Sequence, residues 1–179
     1  MDRRTSLVAL GALASHALFP RVLEAWSQTP PALATWRPRV LSPAEGASLA
    51  ALADAILPDT DTPGATAAGV HVFIDLVLAE CVAAAERQAF VAGLATVETA
   101  CRAEHRRGVT DVDAAARTAL LVRLEGASDP FVKTLKGLVV LGYGTSRIGA
   151  TQALAYDPVP GGYRGCVPLA PGQRTWAER

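Results

Sequence analysis

Apolar residues recur at helical spacing in one segment after another, and this feature most constrains the fold. Between Val70 and Cys81, and again between Phe90 and Cys101, apolar side chains return every three or four residues. That period places them on one face of an α-helix. No run alternates at period two for long enough to be a convincing strand. The pattern therefore predicts an all-α protein.

Helix-capping and helix-breaking residues divide the chain into five or six such helices. Ser42-Pro43-Ala44-Glu45 combines a capping box with proline at the first helical position, and this helix ends before Pro58. Gly108 is predicted to break the third helix, and Thr110 or Asp111 to cap the fourth. A fifth helix is predicted over 131–142, and a short last one around 146–155. The predicted core residues are Phe73, Ile74, Leu78, Leu94, Leu121, Leu135 and Leu138.

These elements predict an orthogonal helical bundle with irregular ends. We divide the chain into a signal segment (1–27), a proline-rich linker (28–41), a helical domain (42–155) and an irregular tail rich in glycine and proline (156–179). Half of the residues are apolar, and only 6% are aromatic, which suits helices packed on small side chains. Lys plus Arg and Asp plus Glu number 17 each, and no basic stretch favours binding to nucleic acid.

The amino terminus resembles an export signal. Arg3 and Arg4 precede an apolar run from Ser6 to Phe19, and DRRTSL partly matches the twin-arginine consensus. Fourteen helical residues reach about 21 Å, short of the roughly 30 Å hydrocarbon core of a bilayer. The alternative is an amphipathic first helix of the domain. The twin-arginine interpretation predicts export of a folded protein.

Cysteine and histidine give no strong metal signal. The cysteines are Cys81, Cys101 and Cys166, with no CxxC pair. Cys101 and His105 lie four apart on one helix face, and Cys81 could approach from the neighbouring helix. Three ligands do not complete a structural zinc site, so both cysteines are interpreted as core residues. A bond between Cys81 and Cys101 stays open. The loop PDTDTPGA (58–65) lacks the ligands of a calcium-binding EF-hand.

The carboxyl-terminal third concentrates the residue types that dominate protein interfaces. No catalytic constellation or cofactor motif is recognisable, so we predict no catalytic, cofactor-binding or metal-ligating residue in this chain. The tail either wraps its own bundle or lies on a partner. The predicted interface residues are Tyr143, Arg147, Tyr156, Tyr163, Arg164 and Trp176.

Three segments in order resemble the gluconate 2-dehydrogenase subunit 3 family. They are LADAILPDTDTPGATAAGVHVFIDLVL, FVKTLKGLVVLGYGTSRIGA and LAYDPVPGGYRGCVPL, together spanning about Leu49 to Leu169. PDTDTPGA, GYGTS and PGGYRGC are specific in combination. Gly144 departs from the pattern, since the family often has a second aromatic residue after this tyrosine.

The resemblance implies a non-catalytic small subunit of a bacterial dehydrogenase complex acting on sugars or sugar acids. In such complexes a large subunit of the glucose-methanol-choline type holds FAD, and a c-type cytochrome carries haem c and takes the electrons. The small subunit is thought to escort the large one through twin-arginine export to the periplasm. The complex is then associated with the inner membrane through the cytochrome or the signal segment. We also predict that Cys166, in the irregular tail, forms a disulfide with the large subunit. The alternative is a stand-alone periplasmic enzyme or metal-binding protein using Cys101 and His105.

Overall fold

The computed structural model describes residues 36–157, 159, 161–162, 166 and 168–176 of the 179-residue chain. The predicted signal segment, with Arg3 and Arg4, lies outside the described residues, as does the linker up to residue 35. Within the described part every regular element is helical, and there is no strand. The all-α class is therefore confirmed for the described residues, while the orthogonal crossing of the helices stays a prediction.

Five α-helices and one π-helical turn make up the bundle. The α-helices are α1 (Pro43–Ile56), α2 (Val70–Glu80), α3 (Ala84–His105), α4 (Ala114–Gly126) and α5 (Pro130–Thr145), followed by the π-helix Gly149–Ala153. Helix α1 contacts each of the other four α-helices, and α2 and α5 also pack on each other. Helix α5 likewise contacts each of the other four, so α1 and α5 together form the centre of the described bundle.

The core follows the apolar stripes of the sequence. The buried residues of α3 are the four of its predicted stripe, Phe90, Leu94, Val97 and Cys101. Six of the seven predicted core residues are buried. The seventh, Leu138, is only partly buried and packs against the rim of the core, because the fully buried positions of α5 near it are Leu135 and Val139.

The sequence predicts capping residues for two helix starts, and the structure confirms one of them. The Ser42 side chain accepts from the Glu45 amide at 3.3 Å, and the Glu45 carboxylate accepts from the Ser42 amide at 2.7 Å. The prediction that Thr110 or Asp111 caps α4 was wrong, because Asp113 caps it and accepts from the Ala116 amide.

Helix α4 starts two or three residues later than predicted, because the turn before it packs into the core. Val109 and Val112 are buried, and Arg117 donates from one nitrogen to both of their carbonyl oxygens, at 3.1 and 2.7 Å. Residues 109–112 are thereby held as a non-helical turn, and Asp113 is the first residue free to start the helix.

Residues 36–41, here called the strap, run along the bundle before α1 begins. The backbone amides of Arg39, Val40 and Leu41 all donate to the carboxylate of Asp75 on α2, at 2.7, 3.1 and 3.2 Å. The Arg39 side chain pairs with Glu80 at 2.8 Å. Leu41 is buried in the core. The described end of the predicted linker is therefore packed on the helical domain.

Candidate functional site

The loop between α1 and α2 is fixed to the far end of α5 by a tyrosine. The Tyr143 hydroxyl donates to the Pro63 carbonyl at 2.8 Å and lies 3.5 Å from the Thr62 hydroxyl. Gly64 makes the loop compact, since a Cβ there would lie 2.8 Å from the Asp59 nitrogen. PDTDTPGA and GYGTS, two of the elements that carry the family resemblance, are thus in direct contact.

The end of α5 turns sharply into the π-helix. The Ser146 hydroxyl donates to the Tyr143 carbonyl at 2.7 Å and accepts from the Gly149 amide at 2.9 Å. A side chain at Gly149 would collide with the Tyr143 carbonyl. The sequence GTSRIG therefore makes a tight turn that projects Arg147 into solvent, where it is exposed. This turn connects the bundle to the tail.

The far end of the tail returns to the end of the π-helix. The Ala155 amide donates to the Thr175 carbonyl at 2.8 Å, and Ala155 and Trp176 form an isolated parallel bridge. Arg174 donates to the Gln152 carbonyl at 2.8 Å. Because Tyr156 follows Ala155 directly, the bridge brings the backbones of Tyr156 and Trp176 close together, although they are twenty positions apart in the sequence.

Large apolar side chains on this segment are left in solvent. Tyr156 is 55% exposed, Trp176 58%, Leu169 81% and Val159 82%. Only two other large apolar residues in the described part of the chain are as open, Val122 on α4 and Val140 on α5. We call the exposed residues Arg147, Tyr156, Val159, Leu169 and Trp176 the carboxyl-terminal surface. Exposed aromatic and aliphatic side chains, together with an exposed arginine, are residue types typical of a protein-binding surface.

The predicted interface residues are placed unequally. Arg147, Tyr156 and Trp176 belong to the carboxyl-terminal surface. Tyr143 is half-buried, and its hydroxyl is used within the chain. Tyr163 and Arg164 lie outside the described residues. Cys166, for which we predict a bond to another chain, is a free and exposed thiol on backbone with φ of 54°.

Cys101 and His105 have no third metal ligand grouped with them in the part of the chain that the structure describes. Cys101 is fully buried, and burial raises its pKa, as do the nearby carboxylates Glu98 and Glu104, so the thiolate needed to bind metal is disfavoured. His105 lies 3.8 Å from Glu104. Across the described ranges, no three His, Cys, Asp or Glu residues are grouped so that they could hold a metal ion.

Cys81 behaves as a second small core residue rather than as a partner of Cys101. It is half-buried, packs against the core, and has a raised pKa, chiefly through burial and further through Glu80. The structure records all three described cysteines as free thiols. Nor does any described helix combine the length and apolarity that crossing a bilayer requires.

Sequence reasoning missed two functional-looking polar residues on α2. His71 and Asp75 are buried, 7% and 1% exposed, on a helix whose other buried residues are all apolar. Their spacing of four residues places them on one face, and that was the only available signal. Both face the strap, Asp75 through the three amides and His71 through the ring of Trp36.

Taken together, the geometry defines a small helical domain with a clamped amino-terminal strap and an exposed aromatic tail. Residues 43–161 match the family described as gluconate 2-dehydrogenase subunit 3, and this match covers the greater part of the chain. The chain therefore belongs to that family, and the predicted resemblance is confirmed. Its members are subunits of a dehydrogenase complex. No curated protein and no solved structure gives a significant match.

Proposed function

We propose that this chain is the non-catalytic small subunit of a periplasmic dehydrogenase complex that oxidises a sugar, glycoside or sugar acid. The carboxyl-terminal surface binds a large catalytic subunit of the glucose-methanol-choline type, which holds FAD. A c-type cytochrome with haem c accepts the electrons and associates the complex with the inner membrane. The substrate is selected by the large subunit's pocket.

One observation carries this proposal. A chain of a family named as a dehydrogenase subunit exposes Tyr156 and Trp176, by 55% and 58%, on two backbone segments that the bridge between Ala155 and Trp176 joins. Leaving two large aromatic rings in solvent forgoes the favourable burial that the same rings would gain against a partner. Aromatic residues and arginine also supply most of the binding energy at interface centres. The surface therefore suits a stable contact with another subunit.

Copurification with the proposed flavoprotein subunit tests the contact. We expect Tyr156→Ala and Trp176→Ala each to weaken the complex about tenfold or more, the usual effect of losing an interface anchor. Val159→Ala and Val122→Ala form a matched pair, since both remove the same two methyl groups from an exposed position. Val159→Ala should weaken binding and Val122→Ala should not. Equal effects from the pair would refute the carboxyl-terminal surface as the interface.

We further propose that the Arg3–Arg4 signal exports both chains together. FAD is inserted in the cytoplasm, and a loaded flavoprotein cannot be unthreaded for ordinary secretion, so one folded-state signal serves two docked subunits. Changing both Arg3 and Arg4 to lysine should leave the complex assembled and flavin-loaded in the cytoplasm. Deleting Tyr163 onward should let the small subunit leave alone.

Cell fractionation with antibodies to both chains and a dye-reduction assay measures where each subunit goes. The expected result for the double lysine variant is activity in the cytoplasm and none in the periplasm. A flavoprotein that reaches the periplasm normally with the double lysine variant would show that it is not escorted. Binding and export are separate readouts, so the interface can hold even where the escort role fails.

A further inference from the structure

One face of α2 presents two buried polar side chains to the strap. His71 and Asp75 lie four residues apart, so they stand one above the other on the helix. His71 is 7% exposed and Asp75 is 1% exposed. Their neighbours on α2 are apolar. The strap contacts both groups, through the Arg39 amide at Asp75 and the Trp36 ring at His71.

The two groups hold different parts of the strap. Asp75 binds the carboxyl-terminal half through the amides of residues 39–41. His71 meets the amino-terminal half, because the ring of Trp36 packs edge-on to the imidazole with centroids 4.9 Å apart and planes at 82°. Gly46 on α1 provides the space for this indole, since a Cβ there would lie 3.0 Å from it. Trp36 is thus packed against both His71 and Gly46.

The imidazole is poorly prepared to carry a charge. Its Nδ1 is buried and has no hydrogen-bond partner among the described residues. A protonated imidazole donates from both nitrogens, so protonation would create a buried N–H with no acceptor. Burying an unsatisfied donor costs free energy, and burying a charge costs more. The docked strap therefore favours the neutral ring.

Charged groups around His71 act in both directions. Asp54 on α1 favours the protonated form. Asp75 lies one turn along α2 but is committed to three strap amides. Arg37 lines the same cleft of about 230 Å³ as His71 and Trp36, and its positive charge opposes a second one. Burial outweighs Asp54, and the pKa of His71 falls below its ordinary value near 6.5.

The direction of the pH dependence follows. His71 binds a proton less readily when the strap is docked than when the strap is released. Docking is therefore at full strength above pH 6.5 and weakens as the pH falls below that value towards the lowered pKa. Asp54 and Arg37 adjust the midpoint but do not change the sign.

We propose that the strap is a pH-responsive closure, docked while His71 is neutral and released at its Trp36 end when His71 is protonated. Release uncovers Gly46 of α1, which is buried against the Trp36 ring and lines the cleft. It also frees the point at which the preceding 35 residues join the domain. This inference concerns the chain alone and does not depend on the proposed partner.

NMR spectroscopy of the full-length chain between pH 8 and pH 5 tests the closure. The imidazole proton signals of His71 report its protonation, and the indole signal of Trp36 reports docking. We expect both to change with the same midpoint, below pH 6.5. The protection of the Leu135 amide from exchange should stay constant, because Leu135 lies in the core and not at the strap.

Two variants and one control sharpen the test. His71→Gln stays neutral throughout, so the indole signal of Trp36 should no longer respond to pH. Asp54→Asn removes the group that favours protonation, so the midpoint should move to lower pH. His105→Gln, at a more exposed histidine of α3, should leave the midpoint unchanged. The closure is refuted if Trp36 keeps its environment while His71 titrates, or if the Trp36 transition persists in His71→Gln.

Discussion

The strap and the tail are both irregular stretches at the ends of the described chain, yet the strap is packed into the bundle and the tail is largely exposed. Three consecutive amides of the strap end on one buried carboxylate, and Leu41 enters the core. The tail returns to the bundle through two carbonyls, Thr175 and Gln152, and leaves its aromatic residues in solvent. Irregular backbone can be as fixed as a helix when its polar groups are satisfied. We therefore interpret the strap as a structural part of this domain and the tail as the segment that presents the proposed binding surface.

The largest expected effect concerns the bundle on which both regions rest. Leu135 is fully buried in α5, so Leu135→Ala removes packing atoms and leaves a cavity. We expect the free energy of unfolding to fall by about 2–5 kcal/mol. Urea denaturation at pH 7 measures it, and a loss below about 0.5 kcal/mol would show that α5 does not pack as described.

The next effect compares one carboxylate in each region. Asp75→Asn keeps the shape but replaces an acceptor oxygen by an NH₂ group, so at least one strap amide loses its partner. We expect a loss of about 1–3 kcal/mol in the free energy of unfolding. The matched control is Asp157→Asn in the tail, where an exposed carboxylate accepts from the Val159 amide at 3.0 Å. Its expected loss is below about 0.5 kcal/mol. Similar losses from the two variants would erase the contrast between strap and tail.

A smaller effect tests how the bundle supports the tail. Tyr143→Phe removes the hydroxyl that reaches the Pro63 carbonyl and leaves the ring in place. We expect the free energy of unfolding to fall by about 0.5–1.5 kcal/mol, the net contribution of one hydrogen bond. If partner binding also weakens in this variant, the α1–α2 loop helps to position the carboxyl-terminal surface. Unchanged unfolding would mean that water replaces the tyrosine hydroxyl.

The smallest effect on the chain itself is expected at Cys166. Because this thiol is exposed in the tail, Cys166→Ser should alter the free energy of unfolding by less than about 0.5 kcal/mol. Its expected role is a disulfide to the large subunit. Non-reducing electrophoresis of the intact complex should show one crosslinked band that Cys166→Ser abolishes. Two separate bands from the unaltered complex would contradict the bond.

Local signals account for the parts of the fold that the sequence predicts. Ser42 and Glu45 sit three residues apart, and the stripe of α3 repeats within one helix, so both are visible without knowing what packs against them. The strap was not visible as part of the bundle, because Asp75 meets amides 34 to 36 positions earlier in the chain. A pairing over that distance depends on how the helices pack.

The candidate site shows the same division. The concentration of tyrosine, tryptophan and arginine in the last third predicts an interface from composition alone. Composition does not show that Arg174 and Thr175 return to Gln152 and Ala155, nor that Tyr143 turns inward to Pro63. Each of these contacts ends on a backbone carbonyl. Because every residue carries one, the sequence does not mark which carbonyl is the acceptor.

The three hydrogen bonds that Asp75 accepts from backbone amides limit which residues the strap can carry. Every residue except proline carries the required N–H, so these hydrogen bonds exclude only proline at positions 39 and 40, where the Arg39–Glu80 ion pair and the packing of Val40 on the core are the further constraints. Position 41 must in addition stay apolar, because Leu41 enters the core. Sequence upstream of the strap could thus be exchanged by recombination without removing the anchoring carboxylate, which lies on α2 in the body of the domain.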